Sequence, residues 1–249
     1  MILEVKRLID ADLLGHIEHV QAYNNVAYGR GYYHKWYRDE NETGGLFLQK
    51  ATHDLDYINF LLGDLKPVRL CAMKSKQIFK GNKPPSLKCA DCKEAKTCPE
   101  SPENVFKAGD EGTKGEYCCF AVDTGNEDSG SVIIEYDSGM HIVYSQDFIV
   151  RNGAAKRGAR LIGYKGTLEF DWYKNDIVLY HHDKNEIETF KLDECKGTHF
   201  GGDEALVKNF INVIKGKEKS GTPLSSGIAS AELCLAARKS SIEHVFVNL

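Results

Sequence analysis

Residues 44–63 read GGLFLQKATHDLDYINFLLG, a glycine pair followed by a segment with helical periodicity. At about 100° per residue, its apolar side chains form one stripe that should pack against a sheet: Leu48, Leu55, Ile58 and Leu62. Gln49, His53 and Asp56 fall on the opposite side, with Lys50 one step round the helix. The spacing predicts a helix over residues 49–62 with a polar ridge. It leaves open whether that ridge is a solvated face or one wall of an active site.

Outside this helix, short apolar runs alternate with turns, a pattern typical of strands in a large sheet. The predicted strands are 16–28, 67–79, 116–122, 130–136, 140–150, 159–164, 166–172, 176–182 and 186–192. The pairs SG at 138–139 and KG at 165–166 predict hairpin connections. Two helices follow, over 202–216 and 225–241. The predicted class is α+β, a large mostly antiparallel β-sheet with helices packed on one face, in a single domain over residues 1–249.

Composition narrows the functional classes. The net charge of −4 gives no sign of a nucleic-acid-binding surface. No apolar run approaches the roughly 18 residues of a membrane span, and the N-terminal segment is amphipathic rather than signal-like. These features predict a cytoplasmic protein with no nucleic-acid or membrane partner.

A dinucleotide-binding fingerprint is missing from the sequence. The segment that comes nearest is GRGYYH at 29–34, which lacks a third glycine and leads into an aromatic loop. A nicotinamide-binding unit needs a strand, a glycine turn and a helix N-terminus to hold the pyrophosphate. We therefore expect that the chain does not hold a dinucleotide firmly by itself.

Four stretches resemble the substrate domain of the Gfo/Idh/MocA oxidoreductases, and they occur in the order found in that family. Residues 44–63 resemble its glycine pair and helix with D-x-x-x-H-x-x-D, and LIGYKGTLEF at 161–170 resembles its G-x-x-G-T-[LI] hairpin. THFGGDEALVKNFINVIKG at 198–216 resembles its H-x-G-G-D helix start. GTPLSSGIASAELCLAARKSS at 221–241 resembles its terminal helix. The resemblance covers essentially the whole chain.

This resemblance implies a fold, an activity and the absence of one domain from the chain. Members of the family carry an N-terminal Rossmann domain, which is absent from this chain. We therefore expect the substrate-binding and oligomerisation half of an NAD(P)-dependent dehydrogenase for a sugar or polyol CH–OH group, inactive alone. NAD or NADP would bind mainly to the absent domain, and the open sheet face would pair with another subunit in a homo-oligomer. Met1 is expected to mark a truncation, with a natural stand-alone domain as the alternative.

The resemblance also assigns roles on the helix. His53 matches the family's helix histidine and takes a proton-relay role, which suits an imidazole titrating near neutrality. Asp56 matches the trailing aspartate and would orient the imidazole. Gln49 stands where the family has an aspartate and cannot ionise, so Lys50 beside it is expected to supply the missing charge.

Further substrate-binding residues are expected in the loop before the helix and at a later helix start. Tyr33, with Tyr32 beside it, Trp36 and Arg38 offer aromatic faces and a guanidinium, which suit sugar recognition. The alternative is that these aromatic side chains fold onto the core. His199 opens a helix after a turn and is predicted to reach the pocket.

A cysteine- and proline-rich excursion covers residues 80–117. Cys89, Cys92 and Cys98 are spaced C-x2-C-x5-C, and Cys118 follows closely. These four residues predict a tetrahedral structural zinc site. Reduced thiols or a disulfide remain the alternative, and an iron–sulfur cluster lacks its usual spacing.

Two other functions compete with the dehydrogenase. One is an NAD-dependent glycoside hydrolase, because relatives of the family cleave sugars through transient oxidation. The other is a non-catalytic module that binds a carbohydrate or a partner through the same pocket. Gln49 favours these two, since an amide cannot replace an ionised aspartate.

Overall fold

The computed structural model describes residues 1–107, 115–192 and 202–249. Within these ranges nine strands form one sheet: β1 Ile17–Asn25, β2 Pro67–Ser75, β3 Ser129–Tyr136, β4 His141–Asp147, β5 Lys156–Gly163, β6 Gly166–Asp171, β7 Asp176–His181, β8 Ile187–Lys191 and β9 Val247–Asn248. Their spatial order is β8-β7-β6-β5-β1-β4-β3-β2-β9. Every neighbouring pair is antiparallel except β1 with β4. The predicted mostly antiparallel sheet is confirmed.

The described helices are α1 Ile2–Asp10, the short α2 Gly31–His34 and α3 Glu40–Thr43, α4 Thr52–Leu62, α5 Pro102–Lys107, α6 Gly202–Ile214 and α7 Leu224–Glu243. Of these, α1, α4 and α7 pack on one face of the sheet and share its core. Along β3 and β4, side chains alternate between the two faces, so that Val132, Ile134, Ile142 and Tyr144 are buried beneath the helices. No helix in the described ranges has both the length and the apolar character that crossing a membrane requires.

The prediction of a strand over residues 116–122 is wrong. Only two isolated bridges occur there, Lys88 with Tyr117 and Lys83 with Ala121, and the backbone turns at Cys119 and Phe120. Cys118 and Cys119 are buried because this turn folds back under the excursion. Apolar composition alone did not distinguish a buried turn from a strand.

The helix expected from residue 49 begins earlier, with a π-helical turn at Phe47–Ala51 that leads directly into α4. Gly44 and Gly45 precede it with φ of 72° and 93°, a left-handed conformation that glycine adopts without a steric penalty. A π turn contains more residues than an α turn and shifts the helical phase. Lys50 and Asp54 therefore face inward and are buried. Helical periodicity alone places Lys50 next to the outer polar ridge, and the structure corrects that position.

Candidate active site

A buried hydrogen-bond network fastens α4 to the sheet at Asp54. Its carboxylate is fully buried and accepts hydrogen bonds from Asn24 Nδ2 at 2.7 Å, Tyr144 Oη at 2.8 Å and Arg157 Nε at 2.7 Å. The three donors come from β1, β4 and β5, which are adjacent in the sheet. Buried charges are tolerated when they are paired and hydrogen-bonded in this way. The network fixes the first turn of α4 over the centre of the sheet.

Lys50 lies one helical turn before Asp54 and is only 9% exposed. Its Nζ donates a hydrogen bond to the hydroxyl of Tyr28 and lies 4.9 Å from the centroid of that ring. Burial, together with the nearby Arg157 guanidinium, lowers the pKa of Lys50 to about 8, and Asp54 acts in the opposite direction. The ammonium therefore predominates at neutral pH but loses its proton at mildly alkaline pH.

His53 lies on the exposed face of α4, three residues from Lys50. Although the residue as a whole is exposed, partial burial of its imidazole lowers the pKa of His53, and the charges of Lys50 and Arg157 add to this effect. Asp54 and Asp56 oppose it. The imidazole is neutral at pH 7 and able to accept a proton.

Asp56 and Gln49 flank His53 along the helix. Asp56 lines a cavity of about 860 Å³ between α1, α4 and the start of α7, whereas His53 and Lys50 are not among the residues that line it. Burial raises the pKa of Asp56, and His53 opposes this shift. The Oε1 atom of Gln49 is buried and has no hydrogen-bond partner among the described residues.

Sequence reasoning missed Tyr28, Asp54, Asn24 and Arg157. Asp54 and Arg157 are 103 residues apart, and only the register of β1 between β4 and β5 brings them together. No local pattern carries that information. For Tyr28 a signal was present, since the residue lies three positions after the end of β1, in the tyrosine-rich segment that leads to the helix.

The structure separates Tyr33, Trp36 and Arg38 from the ridge on α4. Tyr33 is fully buried, and its hydroxyl donates to the carbonyl oxygen of Glu127 at 2.5 Å, an arrangement that favours the alternative of an aromatic side chain folded onto the core. Arg38 is 5% exposed and is held by Asp123 and by Thr124 Oγ1, the latter at 3.0 Å. Tyr33 is thus held in the core, whereas Arg38 is fixed by its partners beside an open cleft, and the assignment of both residues to substrate binding stays a prediction.

Trp36 is 57% exposed and stacks on Tyr37 with ring centroids 3.9 Å apart. It lines a separate cleft of about 730 Å³ with Arg38 and Asp123, and that cleft contains no residue of α4. The structure therefore does not bring Trp36 together with His53. His199 lies outside the described residues, and its predicted role stays a prediction.

The seven described cysteines are free thiols. Cys89, Cys92, Cys98 and Cys118 do not form a group of closely spaced ligand atoms, so the geometry does not support the predicted zinc site. In the described part of the chain, such a group is formed by buried His34, Glu100 and Cys119, with ligand atoms within 4.8 Å of one another.

This second group is also a poor cation site. Glu100 already forms an ion pair with Arg30, at 2.8 Å, and another with Arg151. Burial raises the pKa of Cys119, which favours the neutral thiol over the thiolate that a metal needs. A cation here would be repelled by two guanidinium groups, and we assign no metal to it.

The glycine pair at residues 44–45 leads into a helix start, where backbone N–H groups could meet a phosphate. The backbone N–H groups of Leu46 and Phe47 donate to Glu127 Oε1, at 3.0 and 3.2 Å. A carboxylate therefore occupies the position that a phosphate would need.

Together, the mostly antiparallel sheet and the helices packed on it give the fold class that the sequence predicts. The chain belongs to the Gfo/Idh/MocA oxidoreductase family: the family model described as the oxidoreductase family, C-terminal alpha/beta domain, matches residues 6–249. The resemblance seen in the sequence is thereby confirmed, as is the fold class.

Individual relatives agree with this assignment. The Bacillus subtilis protein YteT, named as an oxidoreductase, is 25% identical over 246 residues, an alignment that covers 84% of this chain and 56% of YteT. The solved structure of an oxidoreductase domain protein from Kribbella flavida has a TM-score of 0.73 at 14% identity, covering 99% of this chain and 63% of that one. Levoglucosan dehydrogenase in complex with NADH and levoglucosan has a TM-score of 0.70 at 13% identity, covering 98% and 62%. The chain thus spans less than two thirds of the length of these relatives.

Proposed function

We propose that this chain is the substrate-binding domain of an NAD(P)-dependent oxidoreductase that acts on a CH–OH group of a small sugar or polyol. The observation that carries the proposal is the placement of a neutral, exposed His53 beside a buried lysine that keeps its charge at neutral pH. Oxidation of an alcohol needs a proton acceptor next to the reacting oxygen and benefits from a nearby positive charge. The similarity in fold to levoglucosan dehydrogenase supports the substrate class.

Each side chain on α4 receives one task in this proposal. His53 accepts the proton of the substrate hydroxyl, because burial and the neighbouring cations keep its imidazole unprotonated. Asp56, three residues further along, orients that imidazole. Lys50 supplies positive charge near the oxygen as the proton leaves. Gln49 binds another hydroxyl of the substrate through its side-chain amide.

The nicotinamide nucleotide, either NAD or NADP, is proposed to bind mainly outside these 249 residues. Two observations support this. The chain spans 56% of YteT and 62% of levoglucosan dehydrogenase. In addition, α6 has no buried residue and exposes a row of large apolar side chains: Leu206, Val207, Phe210, Ile211 and Ile214. A helix with such a face needs a covering partner.

The test uses the intact gene product that contains this chain, incubated with NAD+ or NADP+ and a panel of sugars and polyols. Growth of the near-ultraviolet absorbance of reduced nicotinamide with one of them is the expected result. Sugar release from glycosides without net reduction would instead favour the NAD-dependent hydrolase. Binding without either reaction would favour the non-catalytic module.

We also propose that the sheet face opposite the helices pairs with a second copy of the chain. Met73 on β2 is 77% exposed and Ile133 on β3 is 46% exposed, and both lie on that face. His19 and His141 stand beside them with ring centroids 4.4 Å apart. A flat surface of apolar and aromatic side chains is typical of subunit contacts.

A further inference from the structure

Tyr28 stands between Lys50 and the solvent. The lysine is 9% exposed, whereas Tyr28 is 45% exposed and accepts the hydrogen bond from the lysine Nζ. A substrate that approaches α4 from solvent therefore meets the phenol before the amine. This arrangement makes direct contact between Lys50 and a substrate oxygen difficult.

The hydroxyl of Tyr28 can donate one hydrogen bond. A phenol oxygen can accept and donate at the same time, and Lys50 occupies the accepting side. No acceptor for the Tyr28 O–H is found among the described residues. A donor that is itself hydrogen-bonded by a cation is strengthened, because such bonds polarise one another.

The environment of the pair favours a protonated phenol. Burial raises the pKa of Tyr28, Arg157 opposes this shift and Asp54 adds to it. The charged and titratable groups that face Lys50 are Tyr28 from the segment after β1, Arg157 from β5, and Asp54 and His53 from α4. Tyr28 is therefore a hydrogen-bond donor, not a base, over the pH range in which Lys50 changes its charge.

We propose that Tyr28 is a further catalytic residue, whose O–H donates to the reacting oxygen of the substrate while Lys50 holds and polarises it from behind. The inference rests on the proposed function and assigns a different role at the reacting oxygen to each side chain. His53 takes the proton from the substrate hydroxyl, and the electron pair of the broken O–H bond stays on the oxygen. The developing negative charge is then stabilised by the Tyr28 donor, and Lys50 is a positioning residue that acts through it.

The test compares Tyr28→Phe with Tyr164→Phe in the intact gene product. Phenylalanine keeps the ring over which the Lys50 ammonium lies and removes only the hydroxyl. Tyr164 is 84% exposed at the turn between β5 and β6 and serves as the matched control. Removing one donor of this kind lowers kcat by about 10²- to 10³-fold, so we expect that loss in Tyr28→Phe, with KM little changed and no loss in the control.

A pH profile separates this role from a structural one. The wild-type rate should fall as pH rises through about 8, where Lys50 loses its charge. Tyr28→Phe and Lys50→Met should both lack this alkaline decrease in rate. The double variant should be no slower than either single variant, because the two residues act as a unit. A Tyr28→Phe protein that keeps the wild-type rate and the wild-type alkaline decrease in rate would overturn the inference.

The outcomes also distinguish this inference from the function on which it rests. If the wild-type protein oxidises none of the sugars or polyols, both the proposed function and the role of Tyr28 are refuted. If the wild-type protein is active and Tyr28→Phe has the same kcat as Tyr164→Phe, only the role of Tyr28 is refuted. A folded Tyr28→Phe protein with reduced kcat and a flat alkaline profile supports both.

Discussion

At the residue scale, the site depends on how burial and neighbouring charge set the ionisation of two side chains on one helix. The pKa of His53 is lowered, so its imidazole is neutral at pH 7, and the pKa of Lys50 is lowered to about 8. The charge of Arg157 contributes to the lowering of both pKa values. The types of these residues could be predicted from the sequence, through the family's helix pattern. Their environment could not, because Tyr28, Asp54 and Arg157 reach the helix only through the fold.

Replacing His53 by glutamine is expected to lower kcat/KM by about 10²- to 10⁴-fold, because the proton acceptor is lost. The pKa of His53 lies below its ordinary value of 6.5. Since the base must be unprotonated, the wild-type rate should rise with pH on the acid side of 6.5 and level off before neutrality. Steady-state rates across pH measure both effects. His16→Gln, at an exposed position before β1, is the control, and an unchanged acid limb in His53→Gln would refute the assignment.

Lys50→Met is expected to stabilise the folded protein at neutral pH. Lowering the pKa of Lys50 from 10.5 to about 8 corresponds to about 3 kcal/mol of unfavourable burial, at about 1.4 kcal/mol per unit. The lost hydrogen bond to Tyr28 offsets about 1 kcal/mol. Urea unfolding should therefore show an increase of about 2 kcal/mol in the free energy of unfolding, relative to wild type.

The sign of the pH dependence follows from the same shift. Between pH 8 and 10.5 the unfolded chain binds more protons at Lys50 than the folded one, so this group makes the wild type more stable as pH rises. The methionine variant should lack that rise. Lys35→Met, at an exposed position, is the control and should change stability by less than about 0.5 kcal/mol. A Lys50→Met protein less stable than the control would contradict the account.

At the scale of elements, the helix pattern predicted α4 well but misplaced its phase. Residues 49–62 were expected as one α-helix, and the π turn at Phe47–Ala51 rotates Lys50 inward. Hydrophobic periodicity assumes a constant angle per residue, so it cannot register a π turn. Strand periodicity predicted most of the sheet correctly, because alternation between a helix-covered face and an open face persists along the strands. The turn at Cys119 and Phe120 was the exception.

Asp54→Asn should loosen α4 from the sheet. The variant keeps the shape of the side chain but leaves the Arg157 guanidinium without its buried carboxylate, which typically costs about 3–5 kcal/mol. The midpoint of urea unfolding should fall accordingly. Asp56→Asn on the same helix is the matched control, and we expect it to be neutral or slightly stabilising, because burial already raises the pKa of that carboxyl. Equal midpoints for the two variants would show that the network does not anchor the helix.

At the scale of the whole molecule, one sheet presents two different surfaces. The helix-covered side carries the residues proposed for catalysis, and the open side carries exposed apolar side chains on β2 and β3. The class of fold and the family could be predicted from the sequence, because four motifs occur in one order along the chain. The sequence left open whether Tyr33 folds onto the core, because Glu127, whose carbonyl oxygen accepts its hydrogen bond, belongs to a segment with little periodicity.

The open face should hold a dimer together. Ile133→Lys places a charge among the exposed apolar residues of β3 and is expected to shift the protein towards monomer, as measured by light scattering after size-exclusion chromatography. Ile187→Lys, at a 63% exposed position on the edge strand β8, is the matched control and should leave the mass unchanged. A wild-type mass equal to one chain would contradict the proposed pairing.

The position of a bound polyol tests the central claim most directly. A crystal structure of the intact gene product with nicotinamide nucleotide and a turned-over polyol would give the distance from the reacting oxygen to His53 and to Tyr28. We predict about 2.6–3.2 Å from that oxygen to a ring nitrogen of His53 and to the Tyr28 hydroxyl. A polyol bound in the cleft beside Trp36 and Asp123, with no atom in reach of His53, would contradict the account.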